Sequence, residues 1–511
     1  MRAAAAGLVL ALTAAPARAD ILALKDGRFV EGVKIDRGEG GYKLLYKNGE
    51  VFVPETLVKD CLIEGEKGFE PRNDEERARV DKGLVPFEGK WVAKSARDAA
   101  IAKRQAERKK RIEEAKAHRE WRNRYTAESA NFKFEYTLDP EIQEDLRDLM
   151  ETYFKVFTQK WGIARPKEKL KVCFYHDYDS FLQVSGAGHG VLAYYRFVQP
   201  IELDFFYERL DPGYTAAVMF HEANHYLTHL INFEFHYPHN VNEAMAEYYG
   251  ASQWDPRKKE MSVGQVQEGR LTEVLTDIQG GETKKLEDYL SNRLGYDDYT
   301  WGWSFVHFMM ETPKYSKRFQ SFFLALGRDK DVKRVDDGRG TTVEGDEIVR
   351  VFKKHLGVTD LAPLEKEWHE YIKTKLKVET QRGYERAAIA AQRTGQSIRA
   401  RRFFKLAIEK GSTNPQVYRA YARNLLYDDK PAEAIELLRK GITLDPLAAG
   451  LYATLAVALR GQGGTERLAE AKRLKELARE IDPENLDFEE IVIEMTEAAG
   501  SKPTSRPKDK G

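Results

Sequence analysis

Residues 220–225 read Phe-His-Glu-Ala-Asn-His. Two histidines four positions apart project from one face of a helix, so both can reach a single metal ion. The glutamate beside the first lies where it can take a proton from a metal-bound water. Apolar residues flank the motif, Ala216 to Phe220 before it and Leu227, Leu230 and Ile231 after it, as in a buried amphipathic helix. A stray histidine pair on a helix is the ordinary alternative, and the next segment of chain weighs against it. Beyond Pro238, the run Val241 to Tyr249 also reads as helical, with Glu243 and Glu247 one turn apart on a shared face. Two carboxylates on a largely apolar helix are costly to bury without partners. A carboxylate on a second helix after the histidine pair supplies the third protein ligand of a His2Glu zinc site. One turn on, the second carboxylate can accept the N–H of a metal-bound histidine and fix its tautomer. The expectation is one zinc ion per chain.

The remainder of the chain bounds the setting. A length of 511 residues implies two to four domains. With 42% hydrophobic residues it is neither a disordered chain nor a fibre. Lys+Arg and Asp+Glu both total 82, so no net field draws the protein to nucleic acid. Residues 1–19 read as a signal peptide: Met1-Arg2, an apolar run from Ala3 to Ala15, then Ala17-Arg18-Ala19 as a cleavage site. The expected mature chain starts at Asp20, is exported to the periplasm or outside the cell, and has no membrane span, since no later apolar run reaches about 18 residues. Cys61 and Cys173 sit in apolar strings and read as unpaired core thiols.

The expected architecture is multidomain α+β. Residues 20–68 alternate polar and apolar positions between turn dipeptides such as Asp26-Gly27 and Asn48-Gly49, which predicts a small β-barrel-like module. Residues 69–128 form a charged linker, helical from Lys94 to Arg124, where twelve Lys/Arg face five Asp/Glu. That helix reads as a solvated spacer, with a basic arm for an acidic partner as the sharper alternative. Residues 129–378 begin as mixed α/β and turn mostly helical after Pro212. Over 379–487, small residues recur at a period near 34, and Asp445-Pro446 returns as Asp482-Pro483. Paired helices of that period resemble tetratricopeptide repeats, which could recruit a protein partner. Residues 488–511 read as a polar, disordered tail.

HEANH together with NEAMAEYY resembles the gluzincin metallopeptidases. The wider run, from NFKFEYT at 131 through YDSFLQ at 178 and YTWGWSFVHFM at 299 to LEKEWHEYI near 364, is similar to the peptidase-MA-like domains of exported bacterial proteins. The resemblance spans nearly half the chain. It implies a zincin-like domain, zinc held by His221, His225 and Glu243, Glu222 as general base, Glu247 behind a ligand, and a peptide or protein substrate. Position 244 departs from it, with alanine where glycine is commoner. By the same analogy, an edge strand around Gly190 to Tyr195 would pair with extended substrate, with Val191 and Ala193 as candidate contacts; an ordinary core strand is the plainer reading. A donor to the developing oxyanion is also needed. Tyr299 and His307 are candidates, with Tyr248 and His229 behind them, although a buried side chain with a local hydrogen bond is the ordinary reading of each. His236 and His239 read as surface residues of a loop.

Three functions fit this sequence. The first is an exported zinc metallopeptidase. The second is a non-catalytic scaffold with a peptidase fold and repeats, against which the retained Glu222 argues. The third is a hydrolase of non-peptide amides that shares the site.

Overall fold

A computed structural model describes residues 20–493 apart from 27, 64–70, 72, 88–89, 198–199, 210, 296, 394–395 and 492. The expected signal peptide and most of the expected tail lie outside the described residues. The chain is α+β, with small sheets near its N-terminus and helices towards its C-terminus. It divides into two compact units, residues 1–113 with 445–511, and residues 114–444.

The first unit opens with six short strands: β1 (Ile21–Leu24), β2 (Phe29–Glu31), β3 (Lys34–Gly38), β4 (Gly41–Tyr46), β5 (Gly49–Pro54) and β6 (Val58–Leu62). They do not close into the expected barrel. Instead they sort into two three-stranded sheets, ordered β2-β1-β6 and β3-β4-β5. The breaks have local causes. Gly32, at φ +76°, separates β2 from β3, and a 3-10 turn over Glu55–Leu57 separates β5 from β6. Such positive φ costs glycine nothing and other residues a steric penalty. Leu22, Ile35, Leu44, Val51 and Val53 form the buried face.

A helix α1 (Asp74–Asp81) and a hairpin of β7 (Leu84–Phe87) with β8 (Lys90–Ala93) follow, then the charged helix α2 (Lys94–His118). Part of the α2 charge is spent locally: Arg104 pairs with Glu31 at 3.0 Å and Arg108 with Glu484 at 2.7 Å.

The second unit is built on a five-stranded sheet, ordered β12-β13-β11-β10-β9, from β9 (Tyr125–Glu128), β10 (Phe132–Tyr136), β11 (Leu170–Tyr175), β12 (Ala193–Arg196) and β13 (Glu202–Phe206). Its centre is parallel and both edges are antiparallel. Parallel β10 and β11 need a long crossover, which α3 (Pro140–Trp161) supplies. Asp139 caps α3, Pro140 occupies its first turn, and Gly162 ends it in the left-handed region. Its stripe of Leu146, Leu149, Met150, Tyr153, Phe157 and Trp161 joins Phe134, Val172, Phe174 and Leu203 in the main core. On the other side of the sheet, α4 (Tyr178–Ser185) covers a smaller cluster around Cys173, Tyr175 and Phe206. Cys173 is a buried free thiol.

After the sheet come α5 (Pro212–His229), α6 (His239–Gly250), α7 (Glu268–Gln279), α8 (Leu286–Leu290), α9 (Asp297–Glu311), α10 (Pro313–Arg328), α11 (Gly345–Leu356) and α12 (Ala362–Thr374). Three helix pairs follow: α13 (Thr380–Arg393) with α14 (Ser397–Glu409), α15 (Pro415–Tyr427) with α16 (Pro431–Leu444), and α17 (Ala449–Gln462) with α18 (Thr465–Ile481). The first two pairs belong to the second unit and the third to the first unit. There, Asn48 donates to Glu480, and Gly49 lets Leu477 approach within 3.1 Å of where a Cβ would stand. Among the described residues, no helix is long and apolar enough to cross a membrane.

Candidate metal centre

Helix α5 starts where Asp211 caps the Tyr214 N–H and Pro212 fills the first turn. Met219, Phe220, Ala223, Tyr226 and Leu227 anchor it in the core. His221, Glu222 and His225 lie on the remaining, half-buried face. Helix α6 packs alongside, with Gly250 facing Ala217 and His221.

This packing brings the expected ligands together. One ligand atom each from His221, His225 and Glu243 lie within 4.8 Å of one another. The Nε2 atoms of the two histidines face opposite oxygens of Glu243, at 3.2 Å from His221 and 3.7 Å from His225. Behind His221, its Nδ1 looks at Glu247 Oε1, 3.6 Å away. The donor set fits zinc: two imidazoles and a carboxylate converge, and one ring has a carboxylate at its back. The Nδ1 of His225 is buried without a partner, so only one ring is steadied this way.

The electrostatics point the same way. Burial opposes a charge on His221, yet Glu243, Glu222 and Glu247 push its pKa up to about 9. Burial would raise Glu243, but His225 and His221 hold it at about 2. Glu222 is raised, chiefly by burial; its histidine neighbours and a hydrogen bond from the Tyr195 backbone N–H work against this. A surplus of carboxylates around two imidazoles is an environment short of positive charge.

The flanking candidates separate. The ring of Tyr299 stacks on His221 with centroids 6.5 Å apart. His239, expected on a loop surface, opens helix α6 half-exposed, with its Nδ1 3.8 Å from Glu243 and its ring edge-on to Tyr299. By contrast, His307 is held by the Tyr371 hydroxyl and the Gly264 carbonyl. Tyr248 donates to Glu311, while His229 lies between the Tyr195 hydroxyl and the Phe233 carbonyl. His236 reaches the Arg339 carbonyl. His307, Tyr248 and His229 thus make the local hydrogen bonds of the ordinary reading.

Strand β12 is an edge strand, joined to the sheet through β13 alone among the described residues. Ala193 lies in it, opposite Phe205, whereas Val191 precedes the strand and packs into the smaller cluster. Two side chains escaped the sequence reading altogether. Arg270 and Gln267 both donate to Glu247 from around the start of α7. The chain matches no model of a known protein family, and no curated protein matches it.

Proposed function

We propose that this protein is an exported zinc metallopeptidase of the gluzincin type. The observation that carries the reading is the convergence of His221, His225 and Glu243 within 4.8 Å, with Glu222 on the same helix as the histidines. A zinc ion held by these three residues would polarise a carbonyl and bring the pKa of a water to about 7. Glu222 accepts a proton from the attacking water and returns it to the leaving amine, and burial raises its pKa towards that task. Tyr299, stacked on His221, is the proposed donor to the developing oxyanion. Extended substrate would add to the free edge of β12, beside Ala193.

The rest of the reading rests on other features of the sequence. The helix pairs begin 35 and then 34 residues apart, at Thr380, Pro415 and Ala449, which supports tetratricopeptide-like repeats that recruit a protein partner. Residues 1–19 would direct export, and no nucleic acid is involved.

The deciding experiment is elemental mass spectrometry of the purified chain beside Glu243→Ala. About one zinc per wild-type chain, lost in the variant, is the expected result. No zinc in either after reloading would overturn the reading and leave a scaffold.

A further inference from the structure

We propose that Arg270 is a positioning residue for the metal centre, fixing Glu247 behind His221 and thereby setting how tightly the centre holds its metal. The inference rests on the zinc reading above and goes beyond it to a residue outside both motif helices.

Arg270 grips Glu247 through both carboxylate oxygens, its Nε 3.1 Å from Oε2 and a terminal nitrogen 2.9 Å from Oε1. Gln267 donates to Oε2 as well. A planar fork of this kind fixes the carboxylate in orientation as well as in place. Oε1, the oxygen opposite His221 Nδ1, is thus held by a residue that belongs to neither motif helix. A carboxylate behind a ligand selects the ring tautomer and raises its basicity only while it stays in place.

Charge matching supports the assignment. The Arg270 and Glu247 side chains are only 6% and 7% exposed. A buried ion pair of this kind is a weak source of stability, because desolvation offsets most of the attraction. Its neighbour Glu273, wholly buried, takes a hydrogen bond from Thr300 at 2.6 Å and lies 3.9 Å from Arg399 and 3.6 Å from Arg270. Arg270 is thus matched to Glu247, Arg399 stands between Glu273 and Asp277, the latter at 3.7 Å, and Glu222 and Glu243 stand beside the two imidazoles, with His239 also near Glu243.

The mount is stiff. Glu268 at the start of α7 pairs with Arg382 of α13 at 2.7 Å. Gly269 lets the α13 backbone come within 3.0 Å of a would-be Cβ. The first helix pair of the repeat region therefore braces the helix that carries Arg270. The guanidinium also lies 5.5 Å from the centre of the Tyr299 ring, so one side chain lies beside both Glu247 and the proposed oxyanion donor.

The test is zinc affinity of the full chain, stripped with a chelator and titrated against a chromophoric competitor. Wild type, Arg270→Gln, Arg270→Lys, Glu247→Gln and the Arg270→Gln/Glu247→Gln double variant are compared, with circular dichroism as the check on folding. Arg270→Gln should weaken binding by about 10–100-fold, as Glu247→Gln does. Arg270→Lys keeps the charge without the fork and should fall between it and wild type. The double variant should lose no more than the worse single one, because both changes break one device. Wild-type affinity in both Arg270 variants, or a fully additive double variant, would overturn the role. If Arg270→Gln does not fold, Arg270→Lys decides alone, and wild-type affinity there overturns the proposal. A wild-type chain that binds no zinc overturns the reading of the centre itself, and this inference with it.

Discussion

The methyl group of Ala244 lies against Gly302, where a Cβ would come within 2.9 Å of it. Ala244 is wholly buried on the helix that carries Glu243, and Gly302 belongs to α9. A side chain at 244 is thus accommodated by the absence of one across the interface. Gly302→Ala should destabilise the protein by about 1–3 kcal/mol through overpacking. Adding Ala244→Gly should recover part of that loss, although Tyr289 also crowds position 302 at 3.0 Å. Urea unfolding of the two single variants and the double one checks this. A double variant no more stable than Gly302→Ala would break the explanation.

Glu222→Gln isolates the proposed general base. The amide cannot accept the proton, yet none of the three converging ligand atoms belongs to residue 222. Zinc content should stay near one per chain while peptide hydrolysis falls by about 10²–10⁴-fold. Full activity in that variant would remove Glu222 from the chemistry.

Tyr299→Phe keeps the ring that stacks on His221 and removes only the hydroxyl. If that hydroxyl meets the oxyanion, kcat should drop by about 10²–10³-fold with KM little changed. An unchanged kcat would direct attention to His239, whose ring meets Tyr299 edge-on with centroids 5.8 Å apart.

What was legible in the sequence depended on how local its cause was. Helix α3 could be read from end to end, because Asp139-Pro140, a continuous apolar stripe and Gly162 each mark it without help from elsewhere. Helix α4 was missed: eight residues are too short to show a period, and only its Asp177 cap and the left-handed Gly186 betray it. Strand patterns in residues 20–64 announced a β module but could not say which strands pair, so the break at Gly32 split an expected barrel into two sheets. In the candidate metal centre, the i, i+4 spacings of His221 with His225 and of Glu243 with Glu247 are internal to single helices. His239 is also four residues from Glu243, but its place beside Pro238 reads as loop surface. Arg270 carried no such signal. It lies 23 residues beyond Glu247, and an arginine becomes informative only once its burial against that carboxylate is seen.

Asp204 offers a pH-dependent test away from the centre. It sits on β13 beneath the smaller cluster, where Tyr175 donates to one of its oxygens at 2.8 Å and the other is buried without a partner. Burial raises its pKa to about 6, with the Tyr175 hydrogen bond opposing and the Glu202 charge reinforcing the shift. The sign depends on which state holds the proton. Between the unfolded value near 3.8 and the folded value near 6, the folded chain keeps a proton that the unfolded chain has released. Stability must therefore fall as pH rises through that window, and the loss is complete above it. Asp204→Asn keeps an acceptor for Tyr175 and has nothing to ionise. Relative to wild type, it should gain about 2–3 kcal/mol between pH 4 and pH 7 and nothing further by pH 8, since each pKa unit is worth about 1.4 kcal/mol. Unfolding midpoints of both proteins across that range give the comparison. A difference that stays constant with pH would mean Asp204 is ionised throughout, and that its environment holds the charge without penalty.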